Sequence, residues 1–137
     1  MEVANHVYPT QDRIAALMGN TSGDAIVMLN LLKFKDKAVY ADGRATTLTG
    51  REAYQLYGTP MQKVVEKHGG KFLFGGQIEQ LVIGEVGEMW DLCALVEYPS
   101  AAAFAKIATS PEVAEIGVHR AAGLEGQLLI RVSQRAF

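Results

Sequence analysis

Apolar and polar positions along the chain form a unit that occurs twice, consisting of an apolar strand, a capped helix and a second apolar strand. The first unit is predicted over Ala25–Phe34, Gly50–His68 and Lys71–Ile83. The second is predicted over Met89–Tyr98, Ser100–Ala122 and Gln127–Val132. This order predicts an α+β protein with a ferredoxin-like split βαβ sandwich, in which two helices cover one face of a four-stranded antiparallel sheet.

A short additional helix is predicted near the N-terminus. Thr10 is a suitable N-cap, and Ile14, Leu17 and Met18 form one apolar stripe behind it. We therefore expect residues 1–23 to form a helical extension and residues 24–137 to form the ferredoxin-like domain.

Three features predict the details of the helices. Thr49 and Glu52 stand in capping-box spacing, which predicts the start of the first long helix. Pro60 lies inside that helix, so we expect a kink or a break there. Ser110 followed by Pro111 predicts that the last helical stretch is divided into two pieces.

Glycines mark the strands and their turns. The pair Gly75-Gly76 interrupts a predicted strand, which favours a β-bulge or a close backbone approach at that point. Gly84–Glu88 is predicted to be the hairpin loop that joins the second and third strands.

Two predicted strands are apolar on both faces. In Ala25–Phe34 one set of alternate positions holds Ala25, Val27, Leu29 and Leu31, and the other holds Ile26, Met28, Leu32 and Phe34. A sheet that is covered by helices on one face only should carry polar residues on the other. We therefore expect a second copy of the chain to cover the open face, which predicts a homodimer.

Composition limits the classes of function. The chain has 137 residues, a net charge of −2 and 49% apolar residues. These values are typical of a soluble globular domain and do not favour a nucleic-acid binder. No apolar run is long enough to span a membrane, and the N-terminus has no hydrophobic segment typical of a secretory signal. Cys93 is the one cysteine, so we expect a reducing, cytoplasmic location.

Five residues are candidates for a ligand site between sheet and helices. Asn30 and Asp91 are polar interruptions of apolar strand positions, so each either bonds the scaffold or faces a ligand. Arg120 follows Val113 and Ile116 at helical spacing and should point toward the sheet, where it can bind a carboxylate, either Asp91 or a ligand. Tyr54 and Trp90 complete the candidate pocket. The interpretation of all five as scaffold residues remains open.

The three histidines do not suggest a site. His6, His68 and His119 lack metal-ligand spacing, so we expect no metal and no cofactor. His119 should lie on the solvated face of its helix beside Glu115.

Five segments in order resemble the domain of unknown function 1330 family: VMLNLLKFKDKAVYADG, TGREAYQLY, GGKFLFGGQ, WDLCALVEYPS and SPEVAEIGVHRAAGLEG. That family is similar to the dimeric α/β-barrel superfamily, which includes cofactor-independent monooxygenases, muconolactone isomerases and haem-handling enzymes. The resemblance implies a ferredoxin-like subunit that pairs through its sheet into a dimeric α/β barrel, with a pocket between sheet and helices. By analogy with the haem-handling members, His68 or His119 would be the haem ligand.

The function that we expect is binding of a small organic molecule by a homodimer, with monooxygenase-like or isomerase-like catalysis left open. The alternative is a structural or regulatory dimer without a ligand. RNA binding is disfavoured because Ala25–Leu32 carries no aromatic residue and the chain is mildly acidic.

Overall fold

A computed structural model describes residues 2–19 and 23–134. The elements are α1 (Gln11–Met18), β1 (Ile26–Phe34), α2 (Gly50–Lys67), β2 (Lys71–Gln77), β3 (Leu92–Tyr98), α3 (Ala101–Ala108), α4 (Pro111–Gly123) and β4 (Leu124–Val132). The boundary predicted between residues 23 and 24 adjoins residues 20–22, which lie outside the described part of the chain.

The four strands form one antiparallel sheet in the order β2-β3-β1-β4. At its centre Leu29 of β1 pairs with Leu95 of β3 on one side and with Ile130 of β4 on the other. The helices α2, α3 and α4 follow their strands as the split βαβ pattern requires. The predicted α+β, ferredoxin-like fold is confirmed.

The helix ends are fixed by the side chains that the sequence indicates. Thr49 Oγ1 accepts a hydrogen bond from the Glu52 N–H, and Glu52 Oε1 accepts one from the Thr49 N–H, so the capping box is confirmed. Ser110 caps α4 with Pro111 in its first turn, which divides α4 from α3 as predicted.

The core lies between the sheet and the helices. Ile26 and Met28 of β1 and Val96 of β3 pack there against Val64 and Val65 of α2. Ile107 of α3 and Val113 of α4 belong to the same cluster. Because successive strand residues point to opposite faces, the alternate residues of each strand must point away from the helices.

The face of the sheet that points away from the helices is called the open face below. Its apolar residues are Val27, Leu29, Leu31, Phe74, Cys93, Leu95, Leu128, Ile130 and Val132. The helix α1 does not cover it, since Leu17 packs against the core cluster on the helix side. In the described part of the chain no helix lies over the open face.

The two strands that flank the hairpin are shorter than predicted. β2 ends at Gln77 rather than Ile83, and β3 begins at Leu92 rather than Met89. One further hydrogen bond, from the Ile78 N–H to the Asp91 carbonyl at 2.9 Å, continues the pairing beyond the two strands, and the chain then leaves the sheet. Residues 78–91, called the β2–β3 arm below, replace the short loop that was expected at Gly84–Glu88.

The structure differs from two further local predictions. The β-bulge of β2 lies between Phe72 and Phe74, whereas Gly75 and Gly76 pair regularly with Ala94 and Cys93. Pro60 does not break α2, which runs continuously from Gly50 to Lys67. The carbonyl of Leu56, which loses its helical donor at Pro60, belongs to an exposed residue, so water can satisfy it.

The start of α2 and the end of α4 touch through glycine. A Cβ atom at Gly50 would overlap the Lys35 carbonyl oxygen, and one at Gly123 would overlap the Gly50 carbonyl oxygen. The Lys35 N–H bonds the Gly123 carbonyl at 2.8 Å in the same place. This close contact positions the first turns of α2, which carry Arg51 and Tyr54, against the end of β1.

Candidate functional site

A chain of polar side chains runs from α4 to the centre of the sheet on its helix side. Arg120 Nη1 donates a hydrogen bond of 2.9 Å to Gln127 Oε1, and Gln127 Nε2 donates one of 3.0 Å to Asn30 Oδ1. Arg120 stands in the last turn of α4, where a cation is favoured by the helix dipole. The structure therefore brings together two predicted site residues, Asn30 and Arg120, through Gln127, which the sequence analysis did not select.

Residues 5–8, called the N-terminal strap below, cover the hydrogen-bonded side chains of Arg120, Gln127 and Asn30. His6 O accepts a hydrogen bond from the Gln127 N–H at 2.9 Å, and Val7 O accepts one from Arg120 Nη1 at 2.7 Å. The Tyr8 ring lies over the guanidinium, with its centroid 5.1 Å from Arg120 Cζ. The strap thus takes part of the hydrogen-bonding capacity of Arg120.

Tyr54 joins the site from α2. Its ring centroid lies 5.5 Å from that of Phe34 and 5.5 Å from that of Tyr57. Burial raises the pKa of the Tyr54 hydroxyl, Tyr57 raises it further and the charge of Arg120 opposes the rise. Burial likewise raises the pKa of Tyr57. Both phenols are therefore neutral at physiological pH.

An open cleft of about 280 Å³ lies between α2 and the sheet. It is lined by Phe34, Arg51, Tyr54, Gln55, Gly58, Thr59, Gln62 and Leu92. Its apolar wall consists of Phe34, Tyr54 and Leu92, and its polar rim consists of residues of α2. Gly58 keeps the cleft open, because a side chain at that position would point toward Tyr54.

Arg51 is the cation of the cleft. Its Cζ lies 4.8 Å from the centroid of the Phe34 ring, a cation–π arrangement. Among the described residues no carboxylate lies within ion-pair distance of Arg51. Arg51 also stands in the first turn of α2, where the helix dipole disfavours a cation. Arg51 was not predicted as a site residue, and this unfavourable position is the signal in the sequence that could have identified it.

Asp91 lies apart from Arg120. Its Oδ2 accepts a hydrogen bond of 2.8 Å from the Phe34 N–H, and its own N–H donates to the Leu32 carbonyl. Of the two partners considered for Arg120, Asp91 is not bound, since Arg120 donates to the Val7 carbonyl and to Gln127 Oε1 instead. In this position Asp91 satisfies the backbone where β1 shifts register against β4.

Trp90 lies at the strap rather than in the cleft. Its Cη2 atom is 3.2 Å from the position that a Cβ of Gly126 would occupy, and Asn5 Cγ lies at the same distance from that position. Of the five predicted residues, Asn30, Tyr54 and Arg120 thus surround the space between sheet and helices, Trp90 borders the strap, and Asp91 supports the backbone.

His119 is not on the solvated face that the sequence predicts. It is half-buried, and its Nδ1 lies 2.6 Å from Tyr40 Oη. The reason is that the connection after β1 folds back on α4, where the Val39 N–H bonds the Ala122 carbonyl. His68 Nδ1 is likewise occupied, 2.9 Å from the Val64 carbonyl.

No group of three or more His, Cys, Asp or Glu residues in the described ranges is arranged to hold a metal ion. None of the helices within those ranges is both long enough and apolar enough to cross a bilayer.

The strand order and the helices on one face define the class of this protein as a ferredoxin-like α+β domain. Its sequence matches the family "Domain of unknown function (DUF1330)" over residues 38–132, and the chain belongs to that family. The resemblance predicted from the five sequence segments is confirmed.

Solved structures of similar proteins extend the comparison beyond the matched range. A protein of unknown function from Rhodopseudomonas palustris has a TM-score of 0.87 and 37% identity, covering 97% of this chain and 99% of that chain. Its methylated form gives a TM-score of 0.88 and 39% identity, covering 98% of each chain. A dimeric protein of unknown function with a ferredoxin-like fold from Bacteroides fragilis has a TM-score of 0.46 and 15% identity over 81% of this chain and 96% of that chain. No curated protein sequence matches this chain.

Proposed function

We propose that this protein is a homodimer that binds a small organic acid in the cleft between α2 and the sheet. The observation that carries the ligand proposal is Arg51, a guanidinium without a carboxylate partner among the described residues, beside an aromatic wall. An aromatic or aliphatic acid would lay its apolar part against Phe34, Tyr54 and Leu92. Its carboxylate would form a charge-assisted, bidentate hydrogen bond with Arg51.

The chemistry of the cleft supports binding more than catalysis. Its lining contains no carboxylate and no histidine, and burial keeps the Tyr54 phenol protonated. A general base is therefore missing from the cleft lining. We propose binding as the function, and catalysis of the monooxygenase or isomerase type has no separate support in these side chains.

The open face supports the dimer. Its apolar side chains lie in one continuous patch on the four strands and, apart from the buried Val27, are at least partly exposed. Large exposed apolar patches mark sites of association. Lys71 and Glu97 pair across β2 and β3 at one end of the patch, where charged residues would form the polar rim of an interface. Sheet-to-sheet pairing of two copies would give the dimeric α/β barrel.

The β2–β3 arm would extend this interface. Val82 is 83% exposed and Ile83 is 89% exposed at its tip. At its base Glu88 forms a 2.8 Å ion pair with Lys33, which stands in register with Gly126 on the open-face side of β1. The arm therefore leaves the sheet on the side where we propose the second copy to lie. Cys93, the one cysteine, would be covered in such a dimer, and a cytoplasmic location remains part of the proposal.

A second candidate is a structural or regulatory dimer without a ligand. It is supported by the satisfied interior, since no buried side-chain nitrogen or oxygen in the described residues lacks a hydrogen bond. Such an interior needs no ligand to complete it.

A thermal-shift titration with benzoate and its neutral counterpart benzamide distinguishes the two candidates. We expect benzoate to raise the melting temperature, benzamide to have little effect, and Arg51→Gln to abolish the response. Lys63→Gln is the matched control, because it removes a cation from an exposed position of α2 that does not line the cleft. Gly58→Leu should also abolish the response by filling the cleft. Equal responses of the Arg51 and Lys63 variants would reject the cleft as the binding site.

A further inference from the structure

The N-terminal strap fills part of the space between sheet and helices. The Val7 side chain packs against the cluster of Leu32, Phe34 and Leu124, against which Tyr54 and Leu92 also pack. Phe34, Tyr54 and Leu92 are the apolar wall of the open cleft. Val7 and the cleft therefore lie against the same group of side chains, and removal of Val7 would extend the cleft toward α4.

The extended cleft would reach a second guanidinium, that of Arg120, which the strap contacts. Arg120 donates to the Val7 carbonyl and to Gln127 Oε1, both of which are neutral acceptors. In the described ranges no carboxylate forms an ion pair with Arg120. A carboxylate is a stronger partner for a guanidinium than an amide carbonyl, since it accepts two charge-assisted hydrogen bonds.

We propose that the strap is an internal occupant of a longer pocket, and that the open form of this pocket binds a linear dicarboxylic acid. One carboxylate of the ligand binds Arg51 at the mouth, and the methylene chain lies along Phe34 and Tyr54. The second carboxylate takes the place of the Val7 carbonyl on Arg120. This inference rests on the proposed function and extends it, since it names the ligand class and the segment that controls access.

The strap is attached weakly enough that a ligand can displace it. Of residues 2–10, Val7 alone is half-buried and the rest are exposed. The hydrogen bonds of the strap that join it to the domain run to Gln127 and Arg120. Segments with few buried contacts open locally at low free-energy cost.

Polar groups near Arg120 fit the role of orienting a carboxylate. Gln127 holds the guanidinium from one side and is itself held by Asn30, so the direction of the Arg120 donors is fixed before a ligand arrives. Such preorganisation lowers the cost of binding.

The test uses the full chain and a series of linear diacids, glutarate, adipate, suberate and sebacate, with benzoate as the short monoacid. Val7→Gly removes the side chain that packs the strap against the domain, and it leaves both arginines and the backbone carbonyl of residue 7 in place. We expect it to raise the affinity for the best diacid by about fivefold, because the ligand no longer competes with a packed valine. The affinity for benzoate should not change, since benzoate fits the open cleft. Val3→Gly is the matched control, because it changes an exposed valine that lies near the strap in sequence but outside it.

The fluorescence of Trp90 should report displacement of the strap directly. Trp90 is the single tryptophan and, together with Asn5, borders Gly126. Its fluorescence should shift when a diacid binds the natural protein, should show the same shift in ligand-free Val7→Gly, and should stay constant with benzoate.

Gln127→Glu supplies the second arm of the test, since it places an internal carboxylate on Arg120 with little change in shape. It should lower diacid affinity at least about tenfold and leave benzoate binding intact. If benzoate binds but diacid affinity does not respond to Val7→Gly or Gln127→Glu, the inference is overturned and the proposed function stands. If neither ligand binds, both fail.

Discussion

Arg120 Nη1 donates a 2.7 Å hydrogen bond to the carbonyl oxygen of Val7, a residue 113 positions earlier in the chain. The bond joins a segment outside the family-matched range, residues 38–132, to a helix inside it. It closes one end of the space between sheet and helices, while the other end remains open as the cleft beside Arg51. The shape of the candidate site therefore depends on the N-terminal segment as well as on the helices and strands of the ferredoxin-like domain around it.

The capping box of α2 predicts a pH dependence of stability. The hydrogen bond from the Thr49 N–H, together with the Thr49 side chain, lowers the pKa of the Glu52 carboxyl below its ordinary value. Because the pKa is depressed in the folded protein, the contribution of Glu52 is complete above the unfolded pKa and is lost as pH falls through the folded pKa. We expect Glu52→Gln to be less stable than the natural protein at neutral pH and equally stable in strong acid.

The measurement is chemical denaturation of both proteins between neutral and acidic pH. Glu115→Gln, an exposed residue of α4, controls for the general loss of one negative charge. A stability difference that stays constant down to the lowest pH would contradict the role of the Glu52 carboxylate.

The contact between α2 and α4 predicts opposite effects for two glycine substitutions in the same helix. Gly123→Ala should lower the free energy of unfolding by about 1–3 kcal/mol or more, because the new Cβ overlaps the Gly50 carbonyl. Gly117→Ala should raise it by about 0.5–1 kcal/mol, since nothing lies within 4 Å of its Cβ and alanine favours the helix. Equal effects in urea denaturation would show that the two helices do not touch at Gly123.

Asp91 is predicted to act on stability rather than on ligand binding. Asp91→Ala leaves the Phe34 N–H without its acceptor and should cost about 2 kcal/mol in the free energy of unfolding. Asp91→Asn retains an acceptor oxygen and should cost less. Benzoate affinity, measured by calorimetry on the folded variants, should be unchanged. A variant of normal stability that no longer binds benzoate would make Asp91 a ligand residue instead.

The open face predicts a dimer that a single charged substitution at its centre would disrupt. Leu95→Asp places a carboxylate at the centre of the patch and should raise the dimer dissociation constant at least about 30-fold. Val39→Asp is the control, because Val39 is exposed and its N–H bonds α4 on the helix side. Sedimentation velocity of the three proteins measures the effect. A natural protein that sediments as a monomer at micromolar concentration would refute the dimer.

The arm can be tested in the same experiment. Val82→Ser combined with Ile83→Ser should weaken the dimer without altering the fold, since both side chains are largely exposed in the single chain. An unchanged dissociation constant would limit the interface to the sheet.

The sequence was sufficient to predict the topology and the helix ends because both depend on local signals. Apolar runs marked the strands, and Thr49, Glu52, Ser110 and Pro111 marked the helix ends. The bulge beside Leu73 could not be predicted in the same way, because it depends on the register of β2 against β3 and not on the glycines nearby.

The candidate site was predictable only in part. Asn30, Tyr54 and Arg120 interrupt or line apolar faces, so their positions between sheet and helices follow from strand and helix periodicity. The partner of Arg120 is a backbone carbonyl, which carries no side-chain signature in the sequence. His119 was misplaced for a similar reason, since its contact with Tyr40 depends on how the connection after β1 folds.

The central claim is that a small organic acid binds against the aromatic wall of the cleft. The most direct measurement is the set of intermolecular nuclear Overhauser effects between benzoate and the protein in solution. We predict effects from the benzoate ring protons to the ring protons of Phe34 and Tyr54, and their loss in Arg51→Gln at the same benzoate concentration. The account would be contradicted if saturating benzoate gave no nuclear Overhauser effect at the ring of Phe34 or of Tyr54. It would also be contradicted if the same effects persisted in Arg51→Gln.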